Sequence, residues 1–314
     1  MPFACPYGSF HRPLLTDAAI GAEIPAFQVL TPASSCIPDP GSTEYPAIPV
    51  TCSTRAAIVA VGSVAAMRLT VLGGCGAWPA ADQACSGYLV EHEGFRLLID
   101  PGYAVVPRLF RHIAPGEVDA VFVTHGHPDH CADLNPLLRA RAMSGDKAPA
   151  LPVFAPPHAL DAVLALDRRD WLDAALSLRE FTTGSGFDIG PFSAETRLLP
   201  HSLPNAGVRL AAGGHTIAYT GDTGPSAEIV TLARDTDVLL AEASYVDDEM
   251  PQDLETTLST ARRAGQDAAA ANVGRLVLTH LIPGTEPQDA VEAARASYAK
   301  EISVATDGLG VDIT

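Results

Sequence analysis

The stretch Val121-Phe122-Val123-Thr124-His125-Gly126-His127-Pro128-Asp129-His130 runs from an apolar segment straight into four side chains that bind metals. Its first half reads as a buried strand, because it is short, continuous and β-branched. In extended backbone, side chains two positions apart leave by the same face. His125 and His127 can therefore share one ion. The turn at Pro128 lets Asp129 and His130 point to another. Imidazole and carboxylate are ligands that Zn²⁺ accepts at about 2.0–2.2 Å. A surface histidine cluster is the bland alternative, and the density of the pattern speaks against it.

Three residues farther along occupy the same context, the carboxyl end of an apolar strand, where open α/β sheets place their ligands. His201 follows the run Phe192–Leu199, and His280 ends "RLVLTH". Asp222 lies in "AYTGDTG", after a strand and before a helix, where one carboxylate can bridge two cations. His11, His92, His112, His158 and His215 lack such placement and read as surface or structural residues. His215 begins a strand within a Gly-Gly turn, so its position is the wrong end for a ligand.

Around these positions short apolar runs alternate with helical patterns. Strands are expected at 68–72, 88–92, 95–99, 118–123, 178–182, 192–199, 208–211, 216–219, 238–241, 276–279 and 302–305. The second and third form a hairpin around Glu93-Gly94. Helices are expected at 103–112, 134–143, 160–167, 226–234, 260–271 and 287–300. Early hairpins followed by strand–helix alternation imply mixed sheets covered by helices, in four α/β layers. Residues 1–66 differ: Pro32, Pro38, Pro40, Pro46 and Pro49 interrupt any helix there. They read as a Pro-rich, disordered leader, with 67–314 as the hydrolase domain and Met67 as an alternative start of translation.

Composition narrows the partners. The chain has 314 residues, 47% of them hydrophobic, and a formal net charge of −17. Lys147 and Lys300 are its lysines, and the arginines are scattered. Nucleic-acid binders cluster such residues to neutralise phosphates, so charge argues against a nucleic-acid partner and for a small anionic or ester substrate. Apolar runs fall short of the roughly 20 residues a membrane helix needs. The chain reads as cytoplasmic, without a membrane partner, and as compatible with a homodimer. Cys5, Cys36, Cys52, Cys75, Cys85 and Cys131 follow no metal or disulfide spacing and read as reduced, mostly buried thiols. Cys131 adjoins His130.

These residues resemble the metallo-β-lactamase superfamily, most of all its ribonuclease Z and cyclic-nucleotide phosphodiesterase branch. The likeness runs from Met67 to Thr314 through "TVLGGCG", "LLIDPG" with Asp100, "THGHPDH", His201, "YTGDTG", "LLAEASY" and "LVLTH". It implies an αββα sandwich of two mixed β-sheets flanked by helices, with two divalent metal ions along one edge. The first ion would take His125, His127 and His201, and the second Asp129, His130 and His280. Asp222 would bridge them. Zn²⁺ is the expected metal, with Mn²⁺ and Fe²⁺ also accepted by such ligands. Iron-based reductases of the superfamily carry Glu where His127 stands, which favours hydrolysis. The setting "LLPHSLPNAGVRL" around His201 is the phosphodiesterase-like form.

One departure stands out. Ribonuclease Z relatives place a catalytic His where this chain has Thr257 or Leu258, while the partner acid remains as Glu242. Asp129 and Glu242 are the expected catalytic residues. Asp129 would orient or deprotonate the attacking water, and Glu242 would either protonate the leaving group or hold a ligand histidine. Asp100 reads as a residue behind the ligands or as a turn former before Pro101-Gly102. The expected activity is hydrolysis of a small phosphodiester such as a cyclic nucleotide. The alternatives are ribonuclease Z-like RNA cleavage, lactone or thioester hydrolysis, and a metal-binding regulator with little catalysis.

Overall fold

The computed structural model describes residues 66–143, 148–168, 172–247 and 250–314. The Pro-rich segment, apart from Ala66, lies outside them, as do Cys5, Cys36, Cys52 and His11.

Among the described residues, fourteen strands make two sheets of seven. The first contains β1 (Met67–Gly73), β2 (Gly87–His92), β3 (Phe95–Ile99), β4 (Ala120–Phe122), β5 (Leu151–Ala155), β6 (Leu176–Glu180) and β14 (Gly310–Ile313), in the order β14-β1-β2-β3-β4-β5-β6. The second contains β7 (Gly186–Ile189), β8 (Phe192–Leu199), β9 (Asn205–Ala212), β10 (His215–Tyr219), β11 (Val238–Glu242), β12 (Arg275–Thr279) and β13 (Glu301–Val304). Their order is β13-β12-β11-β10-β9-β8-β7. The helices are α1 (Val106–Leu109), α2 (Pro128–Cys131), α3 (Leu134–Met143), α4 (Asp161–Leu164), α5 (Ala227–Ala233), α6 (Ala261–Ala270) and α7 (Pro287–Arg295).

The two-residue period of the strands explains the layering. Along β2, Tyr88 and Val90 enter the core between the sheets, while Leu89 enters the one beneath the helices. Along β3, Leu97 and Ile99 alternate with Leu98 in the same way. In the second sheet Val238 and Leu240 face the first sheet, and Leu239 and Ala241 face α5, α6 and α7. These central strands are thus buried on both faces, which is why they read as unbroken apolar runs, whereas β8 alternates buried with exposed residues. Against α6 and α7 the filling is small: Ala261, Ala264, Ala268, Ala290, Ala293 and Ala294. This is the expected αββα arrangement.

The departures from the expected elements have local causes. β5 was not anticipated because Pro152 demotes its segment as a strand, yet it pairs in parallel with both β4 and β6. β7 and β14 are four-residue edge strands that include Gly and Asp. Helix 103–112 contracts to α1, followed by turns, and 160–167 contracts to α4. α7 ends at Arg295, five residues early.

Topology brings the expected ligands to one end. β8 and β9 are antiparallel, as are β9 and β10, so β8 and β10 run the same way. β10, β11 and β12 are mutually parallel. The carboxyl ends of β8, β10 and β12, which precede His201, Asp222 and His280, therefore share one edge.

Two outcomes follow from this packing. Leu240→Ala, in the core between the sheets, is expected to cost about 2–5 kcal/mol in urea denaturation; a loss under 1 kcal/mol would contradict the packing. Among the described residues, the three hydrophobic cores draw on strands and helices along the whole of 67–314, and we propose that residues 1–66 are dispensable for folding. A chain truncated to start at Met67 should then unfold cooperatively, within a few degrees of the full chain's Tm.

Candidate metal centre

The seven side chains converge. His125, His127, His201 and Asp222 offer ligand atoms all within 4.8 Å of one another, and so do Asp129, His130, Asp222 and His280. Asp222 belongs to both groups. Its Oδ2 lies 3.8 Å from His125 Nε2, 3.8 Å from His201 Nε2 and 3.2 Å from His280 Nε2. Its Oδ1 lies 3.1 Å from His130 Nε2.

Local backbone sets these directions. β4 ends at Phe122, and Pro128 occupies the first turn of α2, where its missing N–H costs nothing. α2 then holds Asp129 and His130 as buried residues. Gly102 passes so close beneath this turn that a Cβ there would lie 1.9 Å from the Asp129 carbonyl oxygen. His280 leaves β12 with φ of +62°, a conformation that only a sharp turn imposes on a non-glycine residue.

A second set of contacts fixes the histidine tautomers. His125 Nδ1 lies 3.0 Å from Thr124 Oγ1, which itself donates to Asp100 Oδ2 at 2.7 Å. His130 Nδ1 lies 2.8 Å from Asp100 Oδ2, and His201 Nδ1 lies 2.8 Å from the Thr257 carbonyl oxygen. His280 Nδ1 lies 2.9 Å from Ser244 Oγ, which donates to Glu242 Oε1 at 2.7 Å. With Nδ1–H engaged outward, each Nε2 presents its lone pair inward. His127 is the exception and faces the cluster through Nδ1, 3.0 Å from both His125 Nε2 and His201 Nε2.

These donors fit cations. His130 Nε2 and Asp222 Oδ1 are buried 3.1 Å apart, with no well-aligned hydrogen bond to either, a costly state for polar atoms unless an ion satisfies them. Three imidazole nitrogens within about hydrogen-bond length likewise exceed what the available N–H groups can serve. Burial, aided by His130, holds His125 well below the usual imidazole range, and burial and His201 lower His127. Neutral imidazole is the ligand form. Asp222 and Asp129 are held ionised, against burial, by the positive charge of His130 and His280. These carboxylates in turn hold the two rings above the usual imidazole range despite burial; a bound cation would take over that charge and leave the rings neutral.

Glu242 is 1% exposed, and its carboxylate is fully engaged. Oε1 accepts from Ser244 Oγ and from Ser259 N at 3.1 Å, and Oε2 accepts from Thr223 N. Burial, reinforced by Asp222, pushes its pKa up to about 8. Where the resemblance led to a catalytic His, Thr257 gives its carbonyl to His201, and Leu258 lines a separate cavity of about 390 Å³ with Pro225, Met250 and Arg263. Sequence reading missed Thr124, Ser244, the Thr257 carbonyl and Ala77, whose N–H donates to Asp129 Oδ2 at 2.9 Å. Two of these act through backbone, which carries no side-chain signal. Cys75, Cys85 and Cys131 are buried free thiols, as expected. Cys131 Sγ donates to the His127 carbonyl oxygen at 3.3 Å rather than facing the ligands.

Comparison with known proteins agrees with this geometry. Residues 95–281 match the family model of the beta-lactamase superfamily domain. The chain belongs to the metallo-β-lactamase superfamily. A probable metallo-hydrolase of Bacillus subtilis, YhfI, is 29% identical over 251 residues, covering 77% of this chain and 98% of that protein. Its crystal structure superposes with a TM-score of 0.72 at 27% identity, covering 79% of this chain and 99% of YhfI. The ribonuclease Z of Haloferax volcanii is 28% identical, covering 79% of this chain and 95% of its own. The chain is accordingly a metal-dependent hydrolase of the superfamily, similar to ribonuclease Z proteins.

Asp100 joins this metallo-β-lactamase centre to both sheets. It accepts from Thr124 N at 2.8 Å and from Tyr219 Oη at 3.0 Å, besides its contact with His130. Asp100→Asn keeps the shape but replaces an acceptor with a donor facing His130. Metal affinity, followed by calorimetric titration of the stripped protein, is expected to fall about 10–100-fold. Unchanged affinity would remove Asp100 from the support of the centre.

Proposed function

We propose that this chain is a dinuclear phosphodiesterase acting on a small phosphodiester such as a cyclic nucleotide. The observation that carries it is Asp222, one carboxylate shared by two complete sets of donors. His125, His127 and His201 would hold one divalent ion and Asp129, His130 and His280 the other. Zn²⁺ is the choice the histidine-rich donors favour, and Mn²⁺ or Fe²⁺ suits them as well. Bound there, such ions supply Lewis acidity toward a phosphoryl oxygen and acidify a water for attack.

The chain's own residues do the rest. Asp129, anchored by Ala77 N–H, lies at the second set and orients the attacking water or takes its proton. Glu242 supports a positioning role better than that of a proton donor. Its oxygens are occupied, and through Ser244 it holds His280. Without the expected relay His, substrates with a good leaving oxygen are favoured.

RNA cleavage is the second reading, favoured by relatives named ribonuclease Z. The net charge of −17 counts against it, because a large polyanion is repelled at long range while a small anion meets mainly the cations. Purified protein is to be assayed with bis-p-nitrophenyl phosphate, cyclic AMP, a lactone panel and a precursor tRNA. Turnover of the first two, lost on chelation and restored by metal, is expected. Turnover of carbonyl substrates alone would sink the proposal, and preferential tRNA cleavage would move it to the second reading. His127→Ala should lose one ion per chain and Asp222→Ala both, as read by elemental analysis, with activity falling at least about 100-fold in each.

A further inference from the structure

The loop after β1 touches two of the second set's ligands at once. A Cβ on Gly76 would lie 2.8 Å from His280 Nδ1, so only glycine lets the backbone pass over this ring. The next residue, Ala77, gives its N–H to Asp129 Oδ2 at 2.9 Å. Trp78 N then donates back to the Gly76 carbonyl oxygen at 2.7 Å, with Ala77 at φ of +61°. This is the positive-φ form of a γ-turn, which is rare and strained, and strain of this kind gathers at ligand clamps and active sites. The far side is pinned as well: Cys75 Sγ donates to the Trp78 carbonyl oxygen at 3.1 Å, and Gly76 N donates to the Leu281 carbonyl oxygen at 2.9 Å.

The product of this strained and doubly anchored turn is Trp78, 51% exposed and next in the chain to the Ala77 N–H that holds Asp129. Aromatic residues are 6% of the chain, and the largest fully buried side chains include Tyr88, Tyr219, Phe122 and Phe192. A tryptophan left half in water by a rigid turn, one residue from a ligand contact, is a surface suited to stacking.

We propose that Trp78 determines specificity by stacking on the nucleobase of a nucleotide diester whose phosphate lies at the metal centre, a proposal that rests on the phosphodiesterase reading. An aromatic face tolerates any base, so this contact selects nucleotides over other phosphodiesters without choosing strongly among bases.

Adenosine 5′-monophosphate and ribose 5-phosphate differ by the base alone, and calorimetric titration of the full-length protein with each isolates its contribution. The wild type is expected to bind the nucleotide at least about tenfold more tightly, within the range of one base stacked on an aromatic ring. Trp78→Ala should bring the ratio of the two Kd values close to one, and Trp78→Phe should retain most of it. Quenching of tryptophan fluorescence by the nucleotide should diminish in Trp78→Ala. A ratio near one in the wild type, or a ratio unchanged in Trp78→Ala, overturns the proposal, as does a wild type that binds neither compound. Hydrolysis of bis-p-nitrophenyl phosphate keeps the failures apart: if it persists, the stacking role falls and the phosphodiesterase reading stands.

Discussion

The structure depends on one electrostatic constraint, the convergence of five imidazoles and two carboxylates in a volume where water cannot serve them separately. Burying one unsatisfied polar group costs about 1–3 kcal/mol. Here His130 Nε2 and Asp222 Oδ1 face each other at 3.1 Å without a well-aligned hydrogen bond, and His127 Nδ1 lies 3.0 Å from both His125 Nε2 and His201 Nε2. Such an arrangement persists because cations satisfy it and because the surroundings leave no other orientation. Asp222 is the hinge of the argument: two separate surface clusters would not place the same carboxylate against histidines on both sides.

The outward contacts matter as much as the inward ones. Thr124, Asp100, Thr257 and Ser244 each occupy the Nδ1 side of a histidine. They come from β4's end, β3's end, the segment before α6 and the residue following Ala243 after β11. Rings held in this way pay little entropy on binding an ion, since their rotamers and tautomers are already chosen. Glu242 belongs to this outer layer, and its raised carboxyl is a consequence of burial, reinforced by Asp222. Ser244, Ser259 and Thr223 occupy Glu242, and the segment that includes Ser259 also presents the Thr257 backbone carbonyl to His201.

Much of this was legible in the sequence, for identifiable reasons. A strand buried on both faces must be apolar throughout, so β2 to β4 and β11 to β12 announce themselves, while β8 shows the alternation of a strand buried on one face. His125, His201, Asp222 and His280 follow one to three residues after the strand ends. The seven converging residues are side chains with unmistakable chemistry. What could not be read is what side chains do not encode. The Ala77 N–H and the Thr257 carbonyl are backbone groups, and nothing in their residue types signals a contact. β5 has no counterpart among the expected strands; it is short and contains Pro152, which cannot donate to a ladder, and the neighbouring β4 and β6 impose it through parallel pairing. β7 and β14 were too short for a two-residue period to emerge, and their pairing is decided by the chain they lie beside.

Backbone strain shows how the centre relates to the fold. Asp100, Ala77 and His280 are all non-glycine residues at positive φ, at +47°, +61° and +62°. Each such residue costs on the order of 1–3 kcal/mol, and no isolated peptide would hold it. They come from three places, the ends of β3 and β12 and the loop after β1, and so from both sheets. Their compensation is tertiary: Thr124, Tyr219 and His130 on Asp100, Asp129 on Ala77, and Ser244 on the His280 ring. One of these contacts, Tyr219 on Asp100, crosses from one sheet to the other and forms only once the sheets have docked through the core of Tyr88, Phe122, Phe192 and Leu240. The others join segments that leave the same sheet, so each strained turn is held by its immediate neighbours while the sandwich locks the two edges together. Those turns aim one ligand, tether a second and fix a third.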